Sequence, residues 1–315
     1  MRRLLLILSI LILANQLTSQ PANCTEYAGA YMELGAGARA AALGKAQTAL
    51  SDDAYASYWN PAGLMGVSKM DINASYTSFF GIVNKKTFNY AHVYEKGVLA
   101  FSYISSWVDG IKNTSYTENR PLPIDDFSYN ASALIISRAS DISKMVPSKG
   151  VKTFWGMSLK LMGEGFSDDR PGASGIGLDV GLQQHYTGNS FSWGINFQNI
   201  VKTLYEWDTP SKNAESLATA IRIGIGYQLL PQWNYSLDLN FKDSRPFSYH
   251  TGVEYSVLNK NKAGVSYFLR GGIDNSNGTL GLGLKYAGYK LDYAYRCTRY
   301  DHLDSTHLIS IGFGN

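Results

Sequence analysis

From about residue 69 to the end of the chain, apolar and polar positions alternate with period two. In 233–241 the odd positions read Trp, Tyr, Leu, Leu and Phe, and the even ones are Asn234, Ser236, Asp238 and Asn240. Segments 176–186, 191–197 and 219–229 repeat the pattern. Successive side chains of a strand point to opposite faces, so each segment has one apolar face and one face of Gly, Ser, Asn and charged residues. Fourteen strands are predicted, near 69–78, 86–94, 97–108, 126–137, 152–162, 175–186, 191–200, 217–229, 233–242, 247–257, 262–270, 279–286, 289–297 and 306–313. An even count of strands about 10 residues long suits a transmembrane β-barrel.

Connection lengths alternate as well. Tight ones at 95–97, 187–190, 230–232, 258–261 and 287–288 face longer ones at 109–125, 163–174, 201–216, 271–278 and 298–305. Short periplasmic turns and long outer loops are the outer-membrane pattern. The connection 139–150 breaks it, being long on the periplasmic side. A soluble β-sandwich also alternates. It does not account for aromatics near strand ends (Trp107, Trp155, Tyr186, Trp233, Tyr249 and Tyr289), which suit interfacial girdles. Nor does it account for a polar face so poor in Lys and Glu. The last strand carries Ile309, Ile311 and Phe313 in phase, like a barrel-insertion signal, although Gly314 and Asn315 follow.

Composition narrows the class. Only 17% of the 315 residues are charged, against 22 Tyr, 13 Phe and 6 Trp, which argues against disorder. No apolar run reaches 18 residues, so no helical span is predicted. Arg2 and Arg3 followed by the apolar stretch 4–14 read as a secretory signal, with cleavage after Ser19. Without those two arginines, 28 basic residues fall to 26 against 25 acidic, and no nucleic-acid partner is implied. Cys24 and Cys297 are expected at opposite ends of the molecule and both free.

Residues 20–68 do not alternate and are read as an N-terminal segment before a barrel at 69–315. Alanine-rich 36–50 suits a short helix. Ser51 is expected to cap a second one through Asp52, Asp53 and Tyr58, which Asn60 and Pro61 stop. The segment is placed in the lumen as a hatch. Glycines at inward positions 156, 177, 181, 194, 224, 226, 252, 264, 281, 283 and 312 leave room for it. Inward charges are mixed, among them Lys160, Asp179, Arg222, Asp238, Glu254, Arg270, Lys285, Asp292 and Arg296, which suits a hydrogen-bonded interior better than an ion filter. The candidate hatch residues are Arg39, Asp52, Asp53, Asn60, Pro61 and Gly63. Asn60 is expected to fix the turn with Pro61, and Arg39 and Asp52 or Asp53 to pair with inward charges.

The runs YMELGAGARA at 31–40, LGKA at 43–46, DDA at 52–54 and YWNPAGL at 58–64 resemble the N-terminus of the PorV/PorQ family of FadL-like outer-membrane barrels. The resemblance implies a 14-stranded antiparallel barrel with an inserted hatch. It also implies an accessory, docking role in type IX secretion, with the translocon and cargo carrying C-terminal signal domains as partners. Under that reading Tyr205 and Trp207, on the 201–216 loop, are the candidate docking residues, because exposed aromatics anchor interfaces. The alternative is a FadL-like conduit for hydrophobic small molecules, its pocket lined by Ile111, Phe166, Leu204, Tyr205 and Trp207.

Catalytic and metal chemistry is not expected. The histidines 92, 185, 250, 302 and 307 are scattered and no G-x-S-x-G occurs. Asp301, His302, Asp304 and His307 fit no standard metal spacing. The segment 274–278 is similar to a calcium loop but has Lys285 where the bidentate Glu belongs. No cofactor is implied, and outer-membrane lipid is the surrounding medium.

Overall fold

The computed structural model describes residues 29–117, 120–168, 170–188, 190–201, 204–209, 214–243, 245–257, 264–298 and 303–314. The signal segment and Cys24 lie outside these residues, and Cys297 is exposed and free. Fourteen antiparallel strands close a barrel. They are β1 (Met70–Phe79), β2 (Val83–Tyr94), β3 (Gly97–Thr117), β4 (Arg120–Asp141), β5 (Val151–Phe166), β6 (Ala173–Tyr186), β7 (Phe191–Gln198), β10 (Ala220–Leu230), β11 (Trp233–Lys242), β12 (Ser248–Val257), β13 (Ser266–Asp274), β14 (Asn277–Tyr286), β15 (Tyr289–Arg296) and β16 (Thr306–Gly314). The first and last pair from Asp71 with Gly314 to Ser78 with His307, which leaves the wall without a free edge. A short hairpin, β8 (Leu204–Trp207) with β9 (Ala214–Ser216), branches off β6.

The alternation sets the two faces. Ile223, Ile225, Leu280, Leu282, Ile309 and Ile311 are exposed on the outer wall, toward lipid, while Arg222, Asp238, Glu254 and Ser310 are buried inside. Of the expected girdle, Tyr289 is exposed and Trp107, Trp155, Tyr186 and Trp233 are half-buried; Tyr249 is instead buried, so it offers lipid no ring.

All fourteen expected strands are present, but four connections differ from their expected form, the first being the expected tight turn 258–261, since β12 ends at Val257 and β13 starts only at Ser266. Residues 109–125 are largely hairpin, with β3 and β4 paired from Ile111–Phe127 out to Thr117–Arg120. The expected long loop 271–278 is a tight turn at Asn275 and Ser276, because cross-strand pairing continues from Ser266–Lys285 to Asp274–Asn277. The 201–216 loop contains the β8–β9 hairpin. The connection 142–150 begins with a turn in which Met145 N–H and Val146 N–H donate to Ile142 O. The β3–β4 hairpin and the β8–β9 branch project from the end opposite the barrel's termini, the end that long connections are expected to place outside.

Residues 29–69 occupy the lumen. They form 3₁₀ turns at Ala30–Leu34 and Pro61–Gly66 and α-helical turns at Ala38–Ala42 and Ala56–Trp59. The helix expected over 36–50 stops at Ala42, because Gly44 and Lys45 take left-handed φ of 61° and 71°. Ser51 caps nothing; its hydroxyl donates to Gln47 O, and Asp53 Oδ1 accepts Tyr55 N–H instead. The segment runs downward: Glu33 pairs with Lys242 and Arg245 near the outer mouth, and Lys69 O accepts Val93 N–H at the periplasmic end.

Candidate functional site

Wall glycines make the seat of the hatch. A Cβ at Gly181 would overlap Asn60 Oδ1, one at Gly194 the Thr48 carbonyl, and one at Gly156 the backbone of Pro61. At Gly252 it would stand 2.6 Å from Leu43 O. Gly264 differs from its expected role: it lies outside the strands, with φ 67° and nothing near its missing side chain. Gly63 abuts another part of the hatch, where a Cβ would overlap Ser51 O.

Polar anchors fill the gaps that this close approach leaves. Asn60 is fully buried; its Nδ2 donates to Thr48 O at 2.7 Å and to Leu182 O of β6 at 3.2 Å, and its Oδ1 accepts Ala62 N–H at 3.2 Å. It thereby starts the Pro61–Gly66 turn, with Pro61 at the first position, where no N–H is required. Asp238 Oδ2 of β11 accepts Gln47 N–H (3.0 Å), Thr48 N–H (2.9 Å) and Thr48 Oγ1–H (2.7 Å). Asp71 of β1 accepts Ala54 N–H at 2.8 Å and pairs with Lys290 at 2.6 Å. Sequence reasoning placed Asp238 inward but not as a hatch anchor, because its partners lie about 190 residues away.

Toward the periplasm a chain of ion pairs ties hatch to wall. Arg39 joins Asp52 (2.6 Å) to Glu254 (3.1 Å), Glu254 joins Arg270 (2.7 Å), and Arg270 joins Asp292 (2.6 Å). Arg39 thus meets an inward charge, whereas Asp52 meets only Arg39 in these pairs. Burial, with the Asp52 carboxylate beside it, pushes the Asp53 carboxyl up to about 7, against the pull of Lys290. Asp52 is half-exposed, so its link to Arg39 contributes little, whereas removing Arg39 leaves the buried Glu254 carboxylate with Arg270 but one partner fewer. Arg39→Met should therefore loosen the hatch by roughly 1–3 kcal/mol. Faster hydrogen exchange over 38–54 would register this, and unchanged exchange would show the chain to be dispensable.

Above the hatch lies a cavity of about 310 Å³ that opens between two unlike walls. On one side are Ile135, Met162, Leu217 and Trp59. Ile104, Ala131, Ala133, Ile135 and Met162 form an inward apolar lane on β3 to β5, packed against Tyr31, Tyr55, Tyr58 and Trp59 of the hatch. The opposite side carries Lys45, Arg222, His250, Asp274 and Arg296. Asp274 pairs with Lys45 at 3.0 Å and Arg296 at 3.1 Å, which is the work of a residue read from sequence only as part of a turn. Arg222 stacks over the Trp59 ring at 4.8 Å.

The two docking candidates are not a free pair. Tyr205 is fully buried in the apolar cluster, and Trp207 is half-buried against it with its indole N–H on Glu215. Tyr205 therefore presents no surface to a partner. Ile111 and Phe166 are half-buried, and the side chain of Leu204 lies outside the described ones.

Beside this cluster the wall ladder changes partner. Pairing of β6 with β7 ends at Val180–Phe197, and pairing of β6 with β8 begins at Gly175–Tyr205. A groove on the lipid side of this seam is lined by Leu159, Leu161, Ile176, Val201 and Met162, and Met162 also lines the cavity above the hatch.

No family model matches the sequence, and no curated protein matches it. Among solved structures the chain is similar to the P. putida toluene transporter TodX, with TM-score 0.59 and 9% identity over 89% of this chain and 99% of that one. It is also similar to the Ralstonia pickettii toluene transporter TbuX (0.57, 13%, 89% and 98%) and to the CymD monoaromatic hydrocarbon channel (0.56, 13%, 89% and 97%). At such identities the likeness is one of fold, that of a closed 14-stranded antiparallel β-barrel.

Proposed function

We propose that the protein is a hatch-plugged conduit for hydrophobic small molecules. The observation that carries this reading is the apolar lane ending at Met162, a side chain shared by the cavity above the hatch and the groove on the lipid side. A hydrophobic solute loses little on passing from such a lane into lipid, whereas the polar and charged wall opposite would disfavour it. The seam where β6 changes partner from β7 to β8 is the exit favoured by this reading, since the ladder thins there to the bond from Ile200 N–H to Leu178 O and the one from Asn199 N–H to the Asp179 carboxylate. The fold neighbours named for toluene transport and monoaromatic hydrocarbons support the solute class.

Met162→Trp adds bulk at the shared point, and overpacking of this kind costs about 1–3 kcal/mol. Uptake of labelled toluene or fatty acid should fall by about tenfold, the equivalent of ~1.4 kcal/mol. Barrel insertion should stay normal by heat-modifiable gel mobility. Equal uptake by null and wild-type strains would defeat the reading. The type IX docking role draws on the motifs at 31–64; it predicts that a null strain loses secreted cargo while uptake is unchanged, so one pair of strains separates the two.

A further inference from the structure

Three side chains of the cavity form an arrangement that a conduit does not use. Residues two apart on a strand share a face, so β12 presents Ser248 and His250 together. Asp274 of β13 stands directly across from His250 in register. Ser248 Oγ lies 3.2 Å from His250 Nε2, and His250 Nδ1 lies 3.1 Å from Asp274 Oδ1 and 3.0 Å from Gly44 O. Both neighbours of Nδ1 are acceptors, so Nδ1 carries the proton. In the neutral ring Nε2 then offers its lone pair to the serine hydroxyl. Lys45 and Arg296 hold the other carboxylate oxygen of Asp274, which leaves Oδ1 for the imidazole. His250 and Asp274 are buried, Ser248 is half-buried, and all three line the cavity.

Nucleophile, base and orienting carboxylate in this order are the groups that acyl transfer requires. We propose that Ser248 and His250, positioned by Asp274, hydrolyse carboxylic esters that enter the cavity. Ser248 Oγ bonds to the ester carbonyl carbon as its proton passes to His250 Nε2, and the carbonyl electron pair moves onto oxygen. When that oxyanion collapses, the bond to the alcohol oxygen breaks and His250 returns the proton to it. Water then attacks the acyl carbon as its proton passes to Nε2; when this second oxyanion collapses, the bond to Ser248 Oγ breaks, Nε2 returns the proton to Oγ, and the acid leaves. Ester and water become acid and alcohol, with no further reactant. Asn240, the cross-strand neighbour of Ser248, lines the same cavity and brings an amide donor for the oxyanion. Met162 and Leu217 opposite favour an ester with an apolar body.

The activity stands apart from transport and is tested on the full mature protein in detergent. A fluorophosphonate probe should label Ser248, located by peptide mass mapping, and p-nitrophenyl butyrate should be hydrolysed above the buffer rate. Ser248→Ala should abolish labelling, and His250→Gln should slow hydrolysis by about 10²-fold or more. Asp274→Asn should lower kcat with KM unchanged, as expected of a positioning residue. Heat-modifiable mobility identifies the variants that fold, and Ser248→Cys, alkylated by iodoacetamide faster than Cys297, reports the base in a folded barrel. No adduct on Ser248 in the wild type, or equal hydrolysis by folded Ser248→Ala, would overturn the proposal.

Discussion

Leucine in place of Gly181 or Gly194 should unseat the hatch and turn a plugged barrel into a conducting pore. At both positions even a Cβ would overlap the hatch, at Asn60 Oδ1 or at Thr48 O. The wall strand cannot yield, because its ladders continue on both sides: Gly194 pairs with Gly224 of β10 and with Gln183 of β6. The hatch must move instead. Overpacking a seated element costs about 1–3 kcal/mol for added methylenes, and a whole leucine side chain here exceeds the space available. Conductance in planar bilayers should rise toward that of a barrel lacking 29–66, which sets the upper limit. Gly271→Ala on the outward face, whose nearest neighbouring atom would be 3.8 Å away, should leave conductance unchanged. A Gly194→Leu barrel that stays closed would mean that the 44–51 stretch adapts, and the glycine seat would lose its meaning.

The second large effect is expected at Asp238. Asp238→Leu removes the acceptor of three hydrogen bonds and leaves two backbone N–H groups and the Thr48 hydroxyl buried against an apolar side chain. Each orphaned donor costs about 1–3 kcal/mol. Three such donors set the loss at roughly 3 kcal/mol or more, at the large end of single substitutions. Hydrogen exchange over 46–51 should accelerate by orders of magnitude, and protease should cut the hatch while the barrel stays intact. Asp238→Asn keeps one carbonyl acceptor and should lose much less. Equal protection in wild type and Asp238→Leu would remove the carboxylate from the account of how the hatch is held.

Strand positions were legible because their cause is local. Whether residue i faces lipid or lumen depends on the parity of i within its own strand, and the alternation at 219–229 or 233–241 records that parity directly. Inward glycines were legible for the same reason, and the inference that something lies against them needs only the missing volume. Gly264 escaped that logic because its strand begins later, at Ser266. Outer connections were misjudged where pairing runs past the membrane, as in β3 and β4, since ladder hydrogen bonds and not hydropathy decide where such strands end. The 36–50 helix was misjudged because alanine propensity is weak beside Gly44, which passes close to the backbone of Ile273 and turns the chain there.

Everything chemical in the lumen depends on contacts the chain order does not announce. Asn60 meets Leu182, Thr48 meets Asp238, and Arg39 meets Glu254, across separations of 122, 190 and 215 residues. His250 and Asp274 looked like a scattered histidine and a turn residue until the register of β12 against β13 set them face to face. Alternation tells which side of the wall a residue occupies; only closure of the ring, with its particular register from strand to strand, tells which residue stands opposite. That is why the barrel and its filled lumen could be read from one sequence, while the anchors of the hatch and the serine–histidine pair could not.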